Sequence, residues 1–204
     1  MKLVVFGASG GTGREFVKQA LERGYEVTAF VRNPQKLEFA HERLRLVVGD
    51  AMNREQASAA IAGQDAVVSC LGNPGMGKST AMNDMTGHII DGMEEHGVKR
   101  ILYVASAGIE NELTGLIGKL AGWALRHVLA DHRRAVERIK GAGMNWTIAR
   151  PLQLTNGPLT GSYRQTAQGV PAGGSRISRA DAAHYLVNAL ESPDSSNRSI
   201  GLAY

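Results

Sequence analysis

The sequence has little cysteine and no long apolar run, and both shortages restrict where the protein works. Cys70 is the single cysteine among 204 residues, so the chain cannot form an intramolecular disulfide, which is typical of a reducing compartment. No apolar stretch approaches the ~20 residues that a membrane span requires. The start of the chain also lacks an apolar segment long enough for a signal peptide. We therefore expect a cytoplasmic protein without a membrane partner.

Aromatic residues are scarce as well. They make up 5% of the chain, and no stretch alternates aromatic with basic residues. This argues against a nucleic-acid partner, whereas the formal net charge of +4 is compatible with an anionic small molecule as ligand. The basic residues between positions 126 and 140 fall on the polar face of a predicted helix, as on an ordinary solvated surface. No apolar heptad or interface stripe stands out, so we expect a monomer, and we assign no metal site.

A glycine-rich turn stands near the start of the chain. Residues 7–13 read Gly-Ala-Ser-Gly-Gly-Thr-Gly, directly after the apolar residues 3–6 and directly before a helical pattern. In such a strand–turn–helix unit the glycines let backbone N–H groups approach a diphosphate, and the positive end of the helix faces the anion. The predicted cofactor contacts here are Gly7, Ser9, Gly10, Gly11, Thr12 and Gly13. The alternative is a tight turn without a ligand.

Strand-like and helical segments alternate along the sequence. The strand-like runs are residues 3–6, 27–31, 44–48, 66–71, 101–105 and 146–149. The helical patterns are residues 11–23, 54–62, 80–96 and 119–140, which Gly24, Gly63, Gly97 and Gly141 follow as caps. Ser178 and Asp181 begin a last helix that reaches about residue 190, and residues 200–203 add an edge strand.

This alternation predicts one α/β domain over residues 1–204, a Rossmann-like, doubly wound parallel sheet with helices on both faces. Residues 151–175 form the one long irregular segment, and they follow the sixth strand. Because ligands of such sheets bind outside the carboxyl ends of the strands, we expect this loop to cover a substrate.

The end of the second strand selects between NAD and NADP in a dinucleotide site. An acidic residue there would bind the ribose 2′-OH, but this strand ends in Arg32, whose guanidinium suits a 2′-phosphate. We therefore predict NADPH as the cofactor; a solvated strand-end arginine is the alternative. Asp50 ends the third strand and is placed to meet the adenine amino group. The further predicted contacts in this half of the cofactor site are Ala51, Met52, Leu71 and Gly72.

A second phosphate motif competes with the first. Residues 72–79 read Gly-Asn-Pro-Gly-Met-Gly-Lys-Ser, which satisfies the Walker A pattern and would place Lys78 on phosphates and Ser79 on Mg²⁺. No apolar strand ending in Asp follows to hold the metal, and Pro74 lacks an N–H that the phosphate cradle would use. We therefore favour the turn at residues 7–13.

Several segments together resemble a known family. They are the glycine turn, Arg32, Gly49-Asp50, Ser69-Cys70-Leu71-Gly72, Val104-Ala105-Ser106-Ala107, Trp146-Thr147-Ile148-Ala149-Arg150-Pro151 and Pro158-Leu159-Thr160-Gly161. This set resembles the atypical short-chain dehydrogenases with an NmrA-like Rossmann domain, and within them it is most similar to the NADPH-dependent flavin and biliverdin reductases. The resemblance covers essentially the whole chain.

The resemblance implies hydride transfer from NADPH to a flat aromatic acceptor, a flavin or a linear tetrapyrrole, in a shallow open site. Ser106 matches the family's serine near the nicotinamide, and His132 belongs to an Asp-His pair like the family's; these two are the candidate catalytic residues. Pro151, Leu152 and Gln153 are implied beside the nicotinamide, and Gln153 stands where the family has a histidine. For Ser106 a hydroxyl bonded to backbone is the alternative, and for His132 a satisfied core histidine.

The Tyr-x-x-x-Lys pair of the larger dehydrogenase family is missing. Positions 29, 107, 167 and 189, each four residues after a tyrosine, are all alanine. The usual proton relay for alcohols and ketones is therefore absent, whereas flavin reduction needs mainly a hydride donor stacked on an acceptor ring. We predict an NADPH-dependent flavin or tetrapyrrole reductase; the alternative is a non-catalytic NADP(H)-binding regulator or assembly factor.

Overall fold

The computed structural model describes residues 1–37, 39–73, 75–113 and 115–204. Within these ranges the strands are β1 (Lys2–Phe6), β2 (Glu26–Val31), β3 (Leu44–Val48), β4 (Ala66–Ser69), β5 (Arg100–Val104), β6 (Asn145–Pro151), β7 (Gln153–Thr155), β8 (Arg164–Thr166), β9 (Arg176–Ser178) and β10 (Arg198–Ala203). The helices are α1 (Gly11–Glu22), α2 (Arg54–Ile61), α3 (Ala81–Glu95), α4 (Gly115–Ala124), α5 (Arg126–Gly141) and α6 (Arg179–Glu191).

Eight strands form one sheet in the order β3-β2-β1-β4-β5-β6-β10-β8, and every neighbouring pair is parallel except β10 with β8. β7 and β9 pair separately in a two-stranded parallel sheet. The strand order reverses between β1 and β4, and ligands of such sheets bind at this reversal, outside the carboxyl ends of the strands. The predicted doubly wound parallel fold is confirmed.

The central strand β1 is apolar throughout because both of its faces are covered. Val4 and Phe6 belong to the core cluster that α2, α3 and α5 complete on one face. Leu3 and Val5 belong to the opposite cluster, which α1 and α6 complete. All four side chains are fully buried, as expected for a parallel sheet between two helical layers.

One predicted helix and its glycine cap differ in the structure. The single helix expected over residues 119–140 is two helices, α4 and α5, separated at Leu125, which packs against the core. Gly141 lies inside α5, and Gly143, with φ of 64°, takes the left-handed position instead.

Among the described residues, no helix combines the length and the apolarity that crossing a membrane would need.

The segment after β6 is more regular than the sequence suggests. It contains β7 and β8, and β8 pairs with β10, so the strand expected at the sheet edge lies inside the sheet. The carboxylate of Asp181 on α6 accepts hydrogen bonds from the backbone N–H groups of Thr160 (2.9 Å) and Gly161 (2.8 Å) and from the Tyr204 hydroxyl (2.6 Å). Asp181 thereby fixes the loop at residues 158–161 to the body of the protein.

Candidate functional site

The first helix begins at a turn that only glycine can form. Gly7 has φ of +76°, and a Cβ on it would lie 2.6 Å from the carbonyl oxygen of Cys70. A Cβ on Gly13 would collide with the carbonyl oxygen of Gly7, so α1 lies directly against the end of β1. Gly10 precedes α1, and no side chain caps the helix. The N–H groups of its first turn are therefore available to an anion.

A cleft with a volume of about 330 Å³ lies at the carboxyl ends of β1, β2, β3 and β4. The structure brings nine of the predicted cofactor residues into its lining: Gly7, Ser9, Gly10, Arg32, Asp50, Ala51, Met52, Leu71 and Gly72. Gly11, Thr12 and Gly13 lie outside this lining, and Thr12 and Gly13 are buried in the first turn of α1. The cleft thus gathers most of the residues that the sequence analysis assigned to the glycine turn and to the adenosine half of the cofactor.

Two cations face this cleft from the segment after β2. Arg32 is exposed at the end of the strand, and Lys36 lines the same cleft from a short 3₁₀ helix, Pro34–Lys36. The ion pairs found among the described residues involve neither of them. The sequence analysis missed Lys36, although its position four residues after Arg32 could have indicated a second cation for a phosphate.

The part of the cleft at the end of β3 combines the apolar Phe30 ring with the Asp50 carboxylate. A Cβ on Gly49 would lie 2.6 Å from the Phe30 ring, so the backbone lies directly on that ring. Asp50 Oδ1 accepts a hydrogen bond from the Met52 N–H (3.0 Å), and the Asp50 N–H donates to Gln56 Oε1 (2.9 Å). These two bonds hold the Asp50 carboxylate at the rim of the cleft.

A second cavity, with a volume of about 480 Å³, lies between the start of α1 and the start of α6. A Cβ on Gly11 would lie 2.7 Å from Nε of Arg179, the first residue of α6, and Arg179 Nη1 donates to Asn156 Oδ1 (2.6 Å). The ionisable residues of its lining are Arg14, Glu15, Lys18 and Arg179. Arg179 therefore adds positive charge beside the start of α1. No sequence signal near the glycine turn could have found it, because 168 residues separate it from Gly11.

Ser106 lies two residues after β5, at the carboxyl edge of the sheet, where the sequence analysis expects the nicotinamide. Its hydroxyl donates to the Ala107 carbonyl oxygen (3.1 Å), and the Ala107 N–H donates to the Pro151 carbonyl oxygen (2.9 Å). The structure therefore brings Ser106 beside the end of β6. The next residues, Leu152 and Gln153, donate their N–H groups to Leu202 (3.1 Å) and Ser175 (3.3 Å). These residues lie outside the lining of the 330 Å³ cleft.

His132 lies in the core and not in the lining of this cleft. It is 5% exposed, and its Nδ1 is 2.9 Å from the hydroxyl of Tyr103 on β5. Burial lowers the pKa of His132 to about 4, although the neighbouring Asp131 acts in the opposite direction. A neutral, buried imidazole with a hydrogen-bond partner favours the structural interpretation of His132 over the catalytic one.

The Walker-like segment leads to a helix whose N-terminus is already occupied. The buried carboxylate of Asp131 accepts hydrogen bonds from the N–H groups of Met82 (3.1 Å) and Asn83 (3.2 Å) in the first turn of α3. A phosphate at that position would meet a fixed negative charge. Pro74, which the sequence analysis used against this motif, lies outside the described residues. No side chain caps the N-terminus of α1, whereas Asp131 caps that of α3.

Several buried groups near the sheet have raised pKa values. Burial raises the pKa of Tyr163 and of Tyr185 to about 12, and it raises the pKa of Tyr103 further. Burial also raises the pKa of the Cys70 thiol, which lines the cleft, to about 12. All of these groups are protonated at neutral pH. Among the described residues, no group of three or more His, Cys, Asp or Glu side chains is arranged to hold a metal ion.

Comparison with known proteins agrees with this geometry. A family model described as NAD(P)H-binding matches residues 7–193. The uncharacterized chloroplastic protein At2g34460 of Arabidopsis thaliana is 32% identical over 96% of this chain and 74% of its own length. The photosystem II assembly factor Ycf39 of Trieres chinensis is 26% identical over 99% of this chain and 63% of its own length.

Solved structures have the same fold. A Rossmann-fold NAD(P)-binding family protein from Shigella flexneri superposes with a TM-score of 0.80 and 25% identity, over 98% of this chain and 92% of that one. A short-chain dehydrogenase/reductase from Veillonella parvula in complex with NADP gives a TM-score of 0.85 at 18% identity, over 100% and 94%. The anaerobilin reductase ChuY from Escherichia coli O157:H7 gives 0.84 at 21% identity, over 100% and 97%.

Proposed function

The chain belongs to the NAD(P)H-binding family, and from this membership we propose that it is an NADPH-dependent reductase that passes a hydride to a flavin or a linear tetrapyrrole. The open N-terminus of α1 at the edge of the 330 Å³ cleft carries the proposal. It offers backbone N–H groups to a diphosphate at the point where the strand order reverses.

The choice of NADPH over NADH rests on Arg32 and Lys36. Both line the cleft next to the end of β2, where the ribose of the adenosine half lies in sheets of this kind. A 2′-phosphate would accept a forked pair of hydrogen bonds from the guanidinium and a further charge contact from the ammonium group. A carboxylate in this place would instead favour NADH.

The reduction of a flat ring requires little acid–base chemistry from the protein. NADPH, when bound, supplies the hydride. The chain's own contribution is to hold two rings in contact, which is itself a large part of the acceleration in such reactions. The raised pKa of Tyr163, Tyr185 and Tyr103 leaves these hydroxyls poor proton donors. We assign the proton that accompanies the hydride to solvent.

We propose that two residues orient the acceptor. The Ser106 hydroxyl donates only to the neighbouring Ala107 carbonyl in this structure, so a rotation about χ1 would let it reach a ligand instead. The exposed Gln153 side chain can donate and accept hydrogen bonds but cannot donate a proton as an imidazolium can. We assign both residues to positioning of the acceptor.

The test follows NADPH absorbance with FMN, FAD, riboflavin and biliverdin offered as acceptors to the full chain. We expect turnover with at least one of them, and a lower kcat/KM for Ser106→Ala without a change in the Kd for NADPH. Tight NADPH binding with no oxidation across all four acceptors would contradict the reductase.

A second candidate is an NADP(H)-binding regulator or assembly factor without turnover. The similarity to Ycf39, which is named as an assembly factor, favours it, as does the missing Tyr-x-x-x-Lys pair. The same absorbance experiment separates the two, because a regulator binds NADPH in the cleft and leaves it unoxidised with every acceptor.

A further inference from the structure

Helix α4 presents an apolar face to solvent. Leu116, Leu120 and Trp123 are 89%, 73% and 67% exposed. Their spacing of four and three residues places them on one side of the helix. Other large exposed apolar side chains, such as Val48 and Leu159, belong to separate elements. Three neighbouring residues of this size on one short helix form a face that folding leaves uncovered.

Three cations lie next to this face. Lys119, Arg126 and Arg133 line a cavity with a volume of about 250 Å³ between α4, α5 and the segment at residues 108–113. The Arg126 guanidinium is 4.8 Å from the centroid of the Trp123 ring and donates to the Trp123 carbonyl oxygen (3.0 Å). We call these three cations, together with Leu116, Leu120 and Trp123, the α4 surface.

The positive charge of the α4 surface has no ion-pair partner among the described residues, because Glu110 and Glu112, which flank the Asn111 that Arg133 binds, pair with Arg150 instead. Arg133 donates to the Ile109 carbonyl (2.6 Å) and to Asn111 Oδ1 (2.9 Å), which are uncharged. Residues 113–130 contain no Asp or Glu. The ion pairs found among the described residues involve none of the three cations. A partner of this surface therefore has to supply both negative charge and an apolar layer.

We propose that the α4 surface docks on a membrane that contains anionic lipids. Leucine and tryptophan side chains on one face of a helix bury themselves at the boundary between headgroups and acyl chains, while flanking lysine and arginine contact the lipid phosphates. The ten residues of α4 lie parallel to such a surface and do not cross it. This inference replaces the expectation of no membrane partner, which rested on the lack of a spanning segment.

A second copy of the chain is the other occupant that could cover the apolar face. In a twofold-symmetric dimer the α4 surface would meet itself, which brings Lys119 and Arg126 close to their own counterparts. With no carboxylate in residues 113–130, these like charges would repel each other. Anionic lipid has the complementary charge, so the charge pattern favours the membrane.

Docking through the α4 surface would also hold the protein in one orientation relative to the membrane, with α4 against the lipid. α4 follows the segment that leaves β5 and carries Ser106, at the carboxyl edge of the sheet. The proposal does not depend on hydride transfer, because its evidence is the apolar face and the three cations, none of which line the cofactor cleft.

Vesicle co-sedimentation of the full chain tests the proposal. We expect the protein to sediment with vesicles of phosphatidylcholine and phosphatidylglycerol, to remain in solution with phosphatidylcholine alone, and to be released by high salt. Lys119→Glu should weaken binding at least about fivefold, because each lysine near an anionic surface contributes about 1 kcal/mol. Leu120→Ser should weaken it similarly through the lost apolar contact.

Matched controls come from outside the α4 surface. Lys99→Glu makes the same charge change at the amino end of β5, and Leu159→Ser removes an exposed leucine from another loop; both should bind vesicles like the unchanged protein. Circular dichroism checks that each variant is folded. A blue shift of fluorescence on vesicle addition should disappear in Trp123→Phe and persist in Trp146→Phe.

Three results would overturn the proposal. The first is no sedimentation with anionic vesicles. The second is sedimentation that Lys119→Glu and Leu120→Ser leave unchanged. The third is a dimer in solution, seen by light scattering, that Leu120→Ser dissociates, since the apolar face would then belong to an interface between two copies.

Discussion

The carboxylate of Asp131 lies 3.1 Å from the backbone nitrogen of Met82 and accepts its hydrogen bond. Through this contact α5 closes the N-terminus of α3 with a fixed negative charge, while the N-terminus of α1 stays open to the cleft. Two glycine-rich turns of the same chain are thereby assigned different tasks. The first is left open to an anion from outside the protein, and the second is joined to the Asp131 carboxylate, which the protein itself provides.

The first prediction concerns this closed helix end. Replacing Asp131 by Ala should lower the free energy of unfolding by about 1–3 kcal/mol, because two buried N–H groups lose their acceptor. Urea denaturation measures the change. The control is Asp84→Ala in the same turn, where a half-buried carboxylate accepts from the Thr80 hydroxyl (2.7 Å) and a smaller loss is expected. Equal losses of unfolding free energy in the two variants would contradict the prediction that the buried Asp131 cap contributes more than Asp84.

The second prediction concerns cofactor choice. Arg32→Ala should raise the Kd for NADPH about ten- to a hundredfold and leave the Kd for NADH nearly unchanged, because charged hydrogen bonds contribute about 1.5–3 kcal/mol. Lys36→Ala should act in the same direction by a smaller factor. Titration calorimetry measures both. Arg45→Ala, an exposed arginine on β3, serves as control. Parallel losses for NADPH and NADH in Arg32→Ala would contradict the assignment.

The third prediction is a pH dependence that originates at His132. Its pKa is about 4 in the folded protein against 6.5 unfolded. Between these values the unfolded chain binds more protons, so stability falls as the pH falls from 6.5 to 4. At about 1.4 kcal/mol per pKa unit the loss is about 3 kcal/mol. Denaturation curves across this range should show it, and His132→Gln should flatten the slope.

The same variant tests the chemical role of His132. A glutamine can keep a hydrogen bond to Tyr103 but cannot transfer a proton. If the histidine is structural, NADPH oxidation by His132→Gln should proceed at close to the original kcat. The control is His41→Gln, an exposed histidine, which should change neither stability nor turnover. Loss of turnover in folded His132→Gln would restore the catalytic interpretation.

The fourth prediction concerns the loop that Asp181 holds. Burial by itself would raise the pKa of Asp181, but hydrogen bonds from Tyr204, Thr160 and Gly161 outweigh it and lower the pKa. Asp181→Asn should therefore free the loop at residues 158–161, which limited proteolysis would detect as faster cleavage there. In the unchanged protein the contribution of Asp181 is present above the unfolded pKa of about 3.9 and is lost as the pH falls through its lower folded pKa. Asp194→Asn, an exposed carboxylate, should leave cleavage unchanged.

The sequence alone predicted the glycine turn, because strand, glycines and helix follow one another directly. It also singled out Arg32, because this residue ends the second predicted strand. Local patterns could not find Arg179, which reaches Gly11 only when α6 packs beside α1. They also missed the cap that Asp131 provides, since it depends on α5 packing against α3. The sequence also did not predict the break between α4 and α5 at Leu125. The helical sequence pattern continues through this residue, and its packing against the core depends on the folded structure.

The order of the strands determines which sheet edges are available for pairing with another molecule at high protein concentration. At one margin of the sheet the three-residue β8 runs antiparallel and leaves little backbone free for a further strand. At the other margin β3 ends the sheet, with Leu46 and Val48 exposed at 42% and 61%. Arg43 and Arg45 stand beside these residues, and positive charge on an edge strand repels an identical strand from another molecule. Neutralising both arginines should therefore turn this margin into the place where aggregation starts.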